Sequence, residues 1–416
     1  HRYAVDEKWL VPHFEKMLYD NALLVPAYLE AYWLTGRERY AQVGRETLDY
    51  LLRDLRHSGG AFFAAEDAGD VRREGEFYVW KEQEVRECLG ADFSLFSSLF
   101  PLTEAGNFEH SSNVLHLEDT KKWEESRSLR MKALREKLLQ RRADRKRPHL
   151  DTKILSGWNG LAISAFSMGY QVLGEEKYLS AARAAAGWIR EHLFRNGRLL
   201  RRFCDGDARY QGTSADYAYL IQGLIALYEA SFEPDWLIWA TELQNGLDRD
   251  FSREGGGYYT AAISEKGLIT RKMDRSDGAL PSPNSVAYGN LLKLSQYLVN
   301  PEFDDKASEL FLAHGDSPEK YPLGLTSLLL GLYLRQNNGP RLLVLSGMSA
   351  GESQDFLKKL RMRFLPDLLL GMAQGNVASG IPVLDGKAAK VPTAYLCEDG
   401  TCHPPKAAGE ILELLR

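Results

Sequence analysis

The sequence predicts a mainly α fold: an (α/α)6 barrel, or six-hairpin toroid, with short β-hairpin excursions and a small irregular α/β C-terminal end. Three observations predict it. Helix-pair patterns recur along the chain, the two helices of a pair differ in kind, and glycine-marked, strand-prone pieces separate the pairs.

The first pair is "HFEKMLYDNALLVPAYLEAYWLTG" followed by "RERYAQVGRETLDYLLRDL". Pro26 interrupts its first helix and is expected to kink or loosen one turn. The shape returns in "SGWNGLAISAFSMGYQVLG" with "EEKYLSAARAAAGWIREHLF", in "SADYAYLIQGLIALYEASF" with "PDWLIWATELQNGLDRDF", and in "NSVAYGNLLKLSQYLV" with "PEFDDKASELFLAH". First members such as "AYLIQGLIALY" are apolar nearly all round and belong inside. Second members carry charge on one side and belong outside. The linking pieces are "SGGAFFAAEDA", "NGRLLRRFCDGDA" and "EGGGYYTAA".

Another pair is expected between Lys81 and Arg147, from "KEQEVRECLGADFSLFSSLF" and "SRSLRMKALREKLLQRRADRKR". A sixth would start at "LGLTSLLLGLYLRQ", followed by a strand, "RLLVLSG", and a short helix, "SQDFLKKL". The expected division is a barrel over residues 1–338 and a C-terminal α/β extension, 339–416, packed on it. An open helical solenoid would need more uniform repeats than these.

Composition narrows the function. The 416 residues are 44% hydrophobic and 26% charged, with formal charge −5 and a pI near 6.1. That is ordinary for a globular protein and steers the chain toward neither nucleic acid nor membrane. No apolar run approaches the ~20 residues of a spanning helix. The start has no signal-peptide pattern, and a chain beginning at His1 rather than Met is expected to be a fragment. Four cysteines argue against a disulfide scaffold and leave a cytoplasmic, reducing compartment as the default. Cys88 and Cys204 stand alone. Cys397 and Cys402, in "YLCEDGTCHPP", are read as unpaired thiols on a terminal hairpin, since a C-x4-C pair beside His403 lacks a fourth zinc ligand.

Inner helices of such a barrel point their N-termini at one mouth. There the sequence places Pro12–Glu15, Ser156–Asn159, Thr213–Asp216 and Ser282–Ser285. Capping explains part of this: Thr213 with Asp216 has capping-box spacing, and Ser282 precedes Pro283 as an N-cap precedes N1. Capping does not require His13, Glu15, Trp158 or Asn159. Such a mixture suits a sugar, with hydroxyls on amides and carboxylates and the apolar face on an aromatic ring.

The excursions bring Glu66, Asp67, Asp205, Asp207, Tyr210, Arg271, Lys272, Asp274 and Asp277 toward the same mouth. Candidates for proton transfer are His13, Glu66, Asp67 and Asp216. Candidates for binding are Arg2, Glu15, Asp20, Asn21, Trp158, Asn159, Tyr210, Tyr217, Lys272, Asp277 and Asn284. The run "RRADRKR", Arg141–Arg147, reads as the basic end of an outer helix. His57, His192 and His314 read as surface residues at outer-helix ends. His110 and His116 lack metal-ligand spacing. No phosphate loop, dinucleotide fingerprint or metal cluster is seen, so neither cofactor nor metal is expected.

The stretches "HRYAVDEKWLVPHFEKMLYDNALL", "GGAFFAAEDA", "GEFYVWKEQEV", "DTKILSGWNGL", "DARYQGTSADYAYLIQGLIALYE", "DGALPSPNSVAYGNLLKL" and "TAYLCEDGTCHPP" together resemble the spermatogenesis-associated, thioredoxin-domain-containing family. The resemblance runs over nearly the whole chain. It implies a six-hairpin region similar to N-acylglucosamine 2-epimerases, cellobiose 2-epimerases and six-hairpin glycosidases, with the family's N-terminal thioredoxin-like domain absent from this chain. Sugar 2-epimerases of that fold resemble one another in using paired histidines. Here His13 alone stands at an inner-helix start. The expected function is a carbohydrate-active enzyme, epimerase- or glycosidase-like, acting on a small sugar-like ligand. The alternative is a non-catalytic binding or scaffold module working with the missing thioredoxin-like domain.

Overall fold

A computed structural model gives the fold and describes residues 1–70, 72–336, 339–373, 379–398 and 401–415. The chain divides into two compact units. One is His1–Asp20 with Ala64–Thr152, and the other is Asn21–Phe63 with Lys153–Arg416.

The second unit carries the predicted hairpins: α1 (Leu18–Thr35, beginning in the first unit) with α2 (Glu38–Tyr50), α3 (Ser156–Leu173) with α4 (Glu176–Leu193), α5 (Ser214–Ser231) with α6 (Pro234–Phe251), and α7 (Pro283–Leu298) with α8 (Pro301–Leu312). The links are short because each odd-numbered helix stops in the same way. Gly36, Gly174, Phe232 and Val299 adopt left-handed φ values of 64°, 73°, 58° and 49°, which turn the chain within two residues. Pro234 and Pro301 then open the next helix at its first turn. Helix α1 runs through Pro26, whose ring lacks the N–H of one helical bond.

Burial separates the layers as the pattern predicts. In α5, 13 of 18 residues are buried, whereas α4 buries 9 of 18 along one face. The inner helices pack in order, α3 on α5, α5 on α7, and α7 on α9 (Thr326–Gln336). Gly160 lets α3 and α5 approach closely, since a Cβ there would lie 2.5 Å from the Leu220 nitrogen and the Tyr219 oxygen. The fold is thus mainly helical, in the inner–outer construction of the α/α class.

Helix α9 is followed by a βαβ unit rather than a long outer helix. Strands Arg341–Ser346 and Leu368–Ala373 run parallel around the helix Ala350–Leu360, and Thr393–Glu398 pairs antiparallel on the other side. The first strand is "RLLVLS", buried from Leu342 to Ser346, as a central strand covered on both faces should be. Cys397 and Cys402 oppose each other across the terminal hairpin and form a disulfide, which corrects the reading of two free thiols. Direct cross-strand pairing puts the two sulfurs within bonding reach.

The expected helix pair between Lys81 and Arg147 takes another form in the first unit. Glu82–Leu89 is a single short helix packed on Leu129–Ala143, around Trp80, Val85, Phe96, Leu134 and Leu138. It buries Val85 and Leu89 while Glu82, Glu84, Arg86 and Glu87 occupy its other positions, so it has no all-round apolar surface. Beside this bundle, three short antiparallel strands, Lys16–Met17, Ala65–Glu66 and Leu150–Asp151, form a small sheet. The long helix ends at Ala143, so Arg145–Arg147 leave it instead of completing it. His314 is buried rather than exposed, its Nδ1 3.0 Å from the Leu310 oxygen one turn earlier.

Candidate functional site

In the first unit the N-terminal segment folds back on itself. The Asp6 carboxylate accepts from the backbone nitrogens of Lys8, Leu10 and Val11 at 2.8, 3.0 and 2.6 Å. Those bonds hold its carboxyl below the usual aspartate range. The return strand then donates His13 N–H to the Tyr3 oxygen at 3.0 Å. The phenol ring consequently stacks on the imidazole, with ring centroids 4.8 Å apart.

His13 sits between two carboxylates. Its Nε2 lies 3.3 Å from Glu15 Oε2 and its Nδ1 3.4 Å from Glu74 Oε1. Glu74 comes from the antiparallel pair Gly69–Asp70 and Arg73–Glu74. Gly75 follows with positive φ, and a Cβ there would enter the Phe14 ring, so only glycine lets this hairpin close over the segment. Arg2 braces the other side, 3.8 Å from Glu15 and 3.6 Å from Asp20, and donates to the Tyr19 hydroxyl. Burial pushes the Asp20 carboxyl up, opposed by the Arg2 charge.

Glu66 belongs to a neighbouring network of the same unit. Pairing of Ala65–Glu66 with Leu150–Asp151 brings the buried Glu66 carboxylate 2.9 Å from an Arg147 nitrogen. The Tyr78 hydroxyl donates to it at 3.1 Å, and the Lys16 ammonium lies 3.5 Å from the Tyr78 ring centroid. Burial, then the Glu66 charge, pushes the Tyr78 phenol far above its ordinary range. Asp67 is half-buried and donates its N–H to the His149 oxygen at 2.9 Å. Arg2, His13, Glu15 and Asp20 therefore come together, with Glu66 one network away. Tyr3, Glu74, Tyr78 and Arg147 are participants the sequence reading missed. Glu74 had one usable signal, its place beside a glycine in the short charged hairpin "REGE".

A cleft of about 1350 Å3 opens in this unit, with Glu74, Arg147 and His149 among its walls. Among the described residues, no three His, Cys, Asp or Glu side chains are placed to hold a metal ion.

In the second unit the polar residues at helix starts act on the backbone. Asn159 Oδ1 accepts from Phe62 N–H at 2.8 Å, and its Nδ2 donates to the Phe62 and Leu155 oxygens at 3.0 Å each. Asn284 repeats the device on Tyr258, accepting its N–H at 2.8 Å and donating to the Tyr258 and Asp274 oxygens at 3.0 and 2.9 Å. Each amide thus ties an inner-helix start to the excursion before it. Asp216 completes the capping box with Thr213 and accepts from Gly157 N–H at 3.2 Å, with Arg201 3.5 Å away. Asp277 accepts from the backbone nitrogens of Ser282 and Ser327, each at 2.8 Å.

Tyr217 is wholly buried, and its hydroxyl oxygen accepts from the backbone Leu199 N–H at 2.9 Å. It has no face to offer a ligand. Tyr210 is exposed at a left-handed φ of 63°, with Arg202 over its ring, and Lys272 is exposed. Trp158 lies half-buried in the first turn of α3, and Asn21 is buried in α1.

No family model matches the chain. It is 34% identical to spermatogenesis-associated protein 20 of Homo sapiens over 97% of this chain and 58% of that protein. It is 30% identical to an uncharacterized protein of Caenorhabditis elegans over 100% of this chain and 63% of the relative. The chain thus spans about three-fifths of the length of these relatives. Among solved structures, a D-mannose isomerase has a TM-score of 0.44 at 15% identity, covering 72% of this chain and 60% of that one. A GH76 α-mannanase of Bacteroides thetaiotaomicron has a TM-score of 0.46 at 10% identity, covering 83% and 73%. Over nearly all of its own residues, the chain is a homologue of spermatogenesis-associated protein 20.

Proposed function

We propose that the first unit is an acid–base site acting on a polyhydroxylated, sugar-like substrate, with His13 as the proton-transfer group. The observation that supports this is a histidine with a carboxylate at each ring nitrogen, 3.3 and 3.4 Å away. Glu15 fixes the ring through Nε2, as an orienting carboxylate does for a catalytic imidazole. Glu74 stands half-exposed on its hairpin, and a substrate hydroxyl or acidic C–H takes its place at Nδ1. The proton then passes from substrate to Nδ1 while Nε2–H remains bonded to Glu15. Arg2 and the Tyr19 hydroxyl supply donors for the substrate oxygen that gains charge.

The test is proton NMR in D2O with a panel of neutral, N-acetylated and uronic-acid sugars. Deuterium entering beside the carbonyl carbon, or a new anomeric signal from cleavage, is the expected result, abolished in His13→Asn and retained in His192→Asn. Exchange that survives His13→Asn overturns the assignment.

A second reading, a non-catalytic binding or scaffold module, has its own support in the second unit. Asn159, Asn284, Asp216 and Asp277 are engaged with the backbone there. It predicts a folded protein with no exchange on any sugar.

A further inference from the structure

Two kinds of contact tie the C-terminal βαβ segment to the helical hairpins. Phe232, which closes α5, shares the segment's apolar core with Leu343, Leu345, Phe356 and Leu370. The second contact is polar and meets strand Leu368–Ala373, the edge strand of its sheet. There the Tyr297 hydroxyl, from α7, lies 3.0 Å from the Leu370 oxygen and 2.9 Å from Oε1 of Glu229, from α5. Tyr297 is wholly buried, and Tyr228 meets its ring edge-on with centroids 5.3 Å apart. A phenol has one hydrogen, and an ionised Glu229 would make both of its neighbours acceptors. One of the two short oxygen–oxygen contacts would then hold no proton. A neutral Glu229 removes the conflict: its carboxyl donates to the Tyr297 oxygen, and the phenol donates to the Leu370 oxygen. Leaving a buried acceptor unpaired is costly, so this geometry selects the neutral carboxyl.

The surrounding charges do not reverse that choice. Two cations act on Glu229: Lys293 of α7, and Arg361 at the end of the helix Ala350–Leu360. Neither forms an ion pair with its carboxylate among the described residues. Arg361 donates to the Glu229 backbone oxygen at 3.4 Å instead and lies over the Tyr170 ring of α3. Lys293 acts on Glu30 of α1 as well. Burial raises the Glu229 carboxyl above the usual glutamate range, against Lys293, the Tyr297 hydroxyl, the Leu370 N–H and Arg361.

We infer that Glu229 is a proton-operated latch. In its neutral form it completes the chain Glu229–Tyr297–Leu370 that fastens the edge strand to the inner helices, and its ionisation unfastens that strand. The response is local, because the apolar core containing Phe232 keeps the rest of the segment in place. Its direction follows from linkage, since the folded chain holds this proton more tightly than the unfolded one. The latch is therefore fully closed below the ordinary glutamate value, about 4.3, and is lost as pH rises through the higher folded value.

Two measurements on the whole chain test it, each made on the wild type, Glu229→Gln and Tyr297→Phe over a series of pH values. Infrared difference spectra between the wild type and Glu229→Gln should show a carboxylic C=O band at about pH 6, where ordinary carboxyls are ionised. Hydrogen–deuterium exchange, read by mass spectrometry for the peptide covering Leu368–Ala373, reports the strand itself. Comparing chains at one pH cancels the intrinsic pH dependence of exchange. The glutamine amide donates to Tyr297 at every pH, so Glu229→Gln should keep the strand protected throughout. The wild type should match it while the carboxylic band persists and exchange ~tenfold faster once the band has vanished. Tyr297→Phe keeps the ring but not the relay, so its strand should exchange ~tenfold faster than the wild type's even while the band persists. No Glu229-dependent band at about pH 6 overturns the inference. So does equal protection of the wild type and Glu229→Gln after the band is lost, or unchanged protection in Tyr297→Phe.

Discussion

Replacing Asn159 by alanine tests whether its amide serves the fold or a ligand. The side chain is wholly buried and makes bonds of 2.8, 3.0 and 3.0 Å. Two of them satisfy the N–H and C=O of Phe62, which is itself fully buried, so no water replaces them. Leaving a buried polar group unpaired costs about 1–3 kcal/mol, so the two Phe62 groups set an expected loss of ~2–6 kcal/mol, with ~3–4 as the centre after partial relaxation. Asn159→Asp should also be costly, because it keeps the acceptor for Phe62 N–H but turns a carboxylate oxygen toward two carbonyls. Equilibrium urea unfolding followed by far-ultraviolet circular dichroism measures both, with transitions of the two units fitted separately. Asn284→Ala should match Asn159→Ala within ~1 kcal/mol, since it removes the same kind of clamp. A loss below ~1 kcal/mol in Asn159→Ala, together with weakened sugar binding, would refute the clamp and restore the amide as a ligand group.

Three further outcomes follow from the geometry. Gly160→Ala should lower the melting temperature, costing ~1–3 kcal/mol or more, because its Cβ meets backbone 2.5 Å away on α5 rather than a movable side chain. Thiol titration of the denatured, unreduced chain should find two reactive cysteines, Cys88 and Cys204, and four after reduction; four before reduction would refute the Cys397–Cys402 bond. The Arg249 hydrogen bond holds the Asp250 carboxyl below its ordinary range, against burial and with help from the Arg249 and Arg198 charges. Its stabilisation is therefore present above the unfolded-state pKa and lost as pH falls through the lower folded one. Urea midpoints measured downward from about pH 5 should fall less steeply in Asp250→Asn than in the wild type.

The helical hairpins were legible because burial writes itself into composition. "AYLIQGLIALY" has no wet face and lies in the inner layer, whereas "EEKYLSAARAAAGWIREHL" has one and lies outside. The Thr213–Asp216 capping box and the Ser282 cap were legible because they depend on local spacing alone. The segment from Lys81 to Arg147 misled because a short amphipathic helix beside a long basic one imitates a hairpin, although Val85 and Leu89 are too few apolar residues for an inner helix.

The candidate site was half legible. His13, Glu15 and Asp20 share a stretch of sequence, so their proximity could be read. Glu74 lies in a local hairpin but meets His13 from 61 residues away, and Arg147 reaches Glu66 beside the long-range pairing of Ala65–Glu66 with Leu150–Asp151, contacts that no local pattern encodes. Asn159 and Asn284 were read as ligand groups because an amide at a helix start looks alike whether it faces solvent or a neighbouring backbone. The distinguishing signal is the recurring glycine-aromatic pair before each, "GGAFF" and "GGGYY".

The clamp on Phe62 also bears on how the chain can change its length. It joins positions 97 residues apart, so everything between them is a closed excursion. In its own unit that excursion is fastened again at its base, Ala64 N–H to the Asp151 oxygen at 3.1 Å and Asp67 N–H to the His149 oxygen at 2.9 Å. Closing an excursion costs entropy that grows only with the logarithm of its length, about 0.6 kcal/mol per doubling. Residues inserted or deleted between those fastenings therefore leave the hairpin array almost untouched. The part of the chain that carries His13's partner Glu74 and the cleft wall can therefore change length while the helices that were easiest to read keep their pairing.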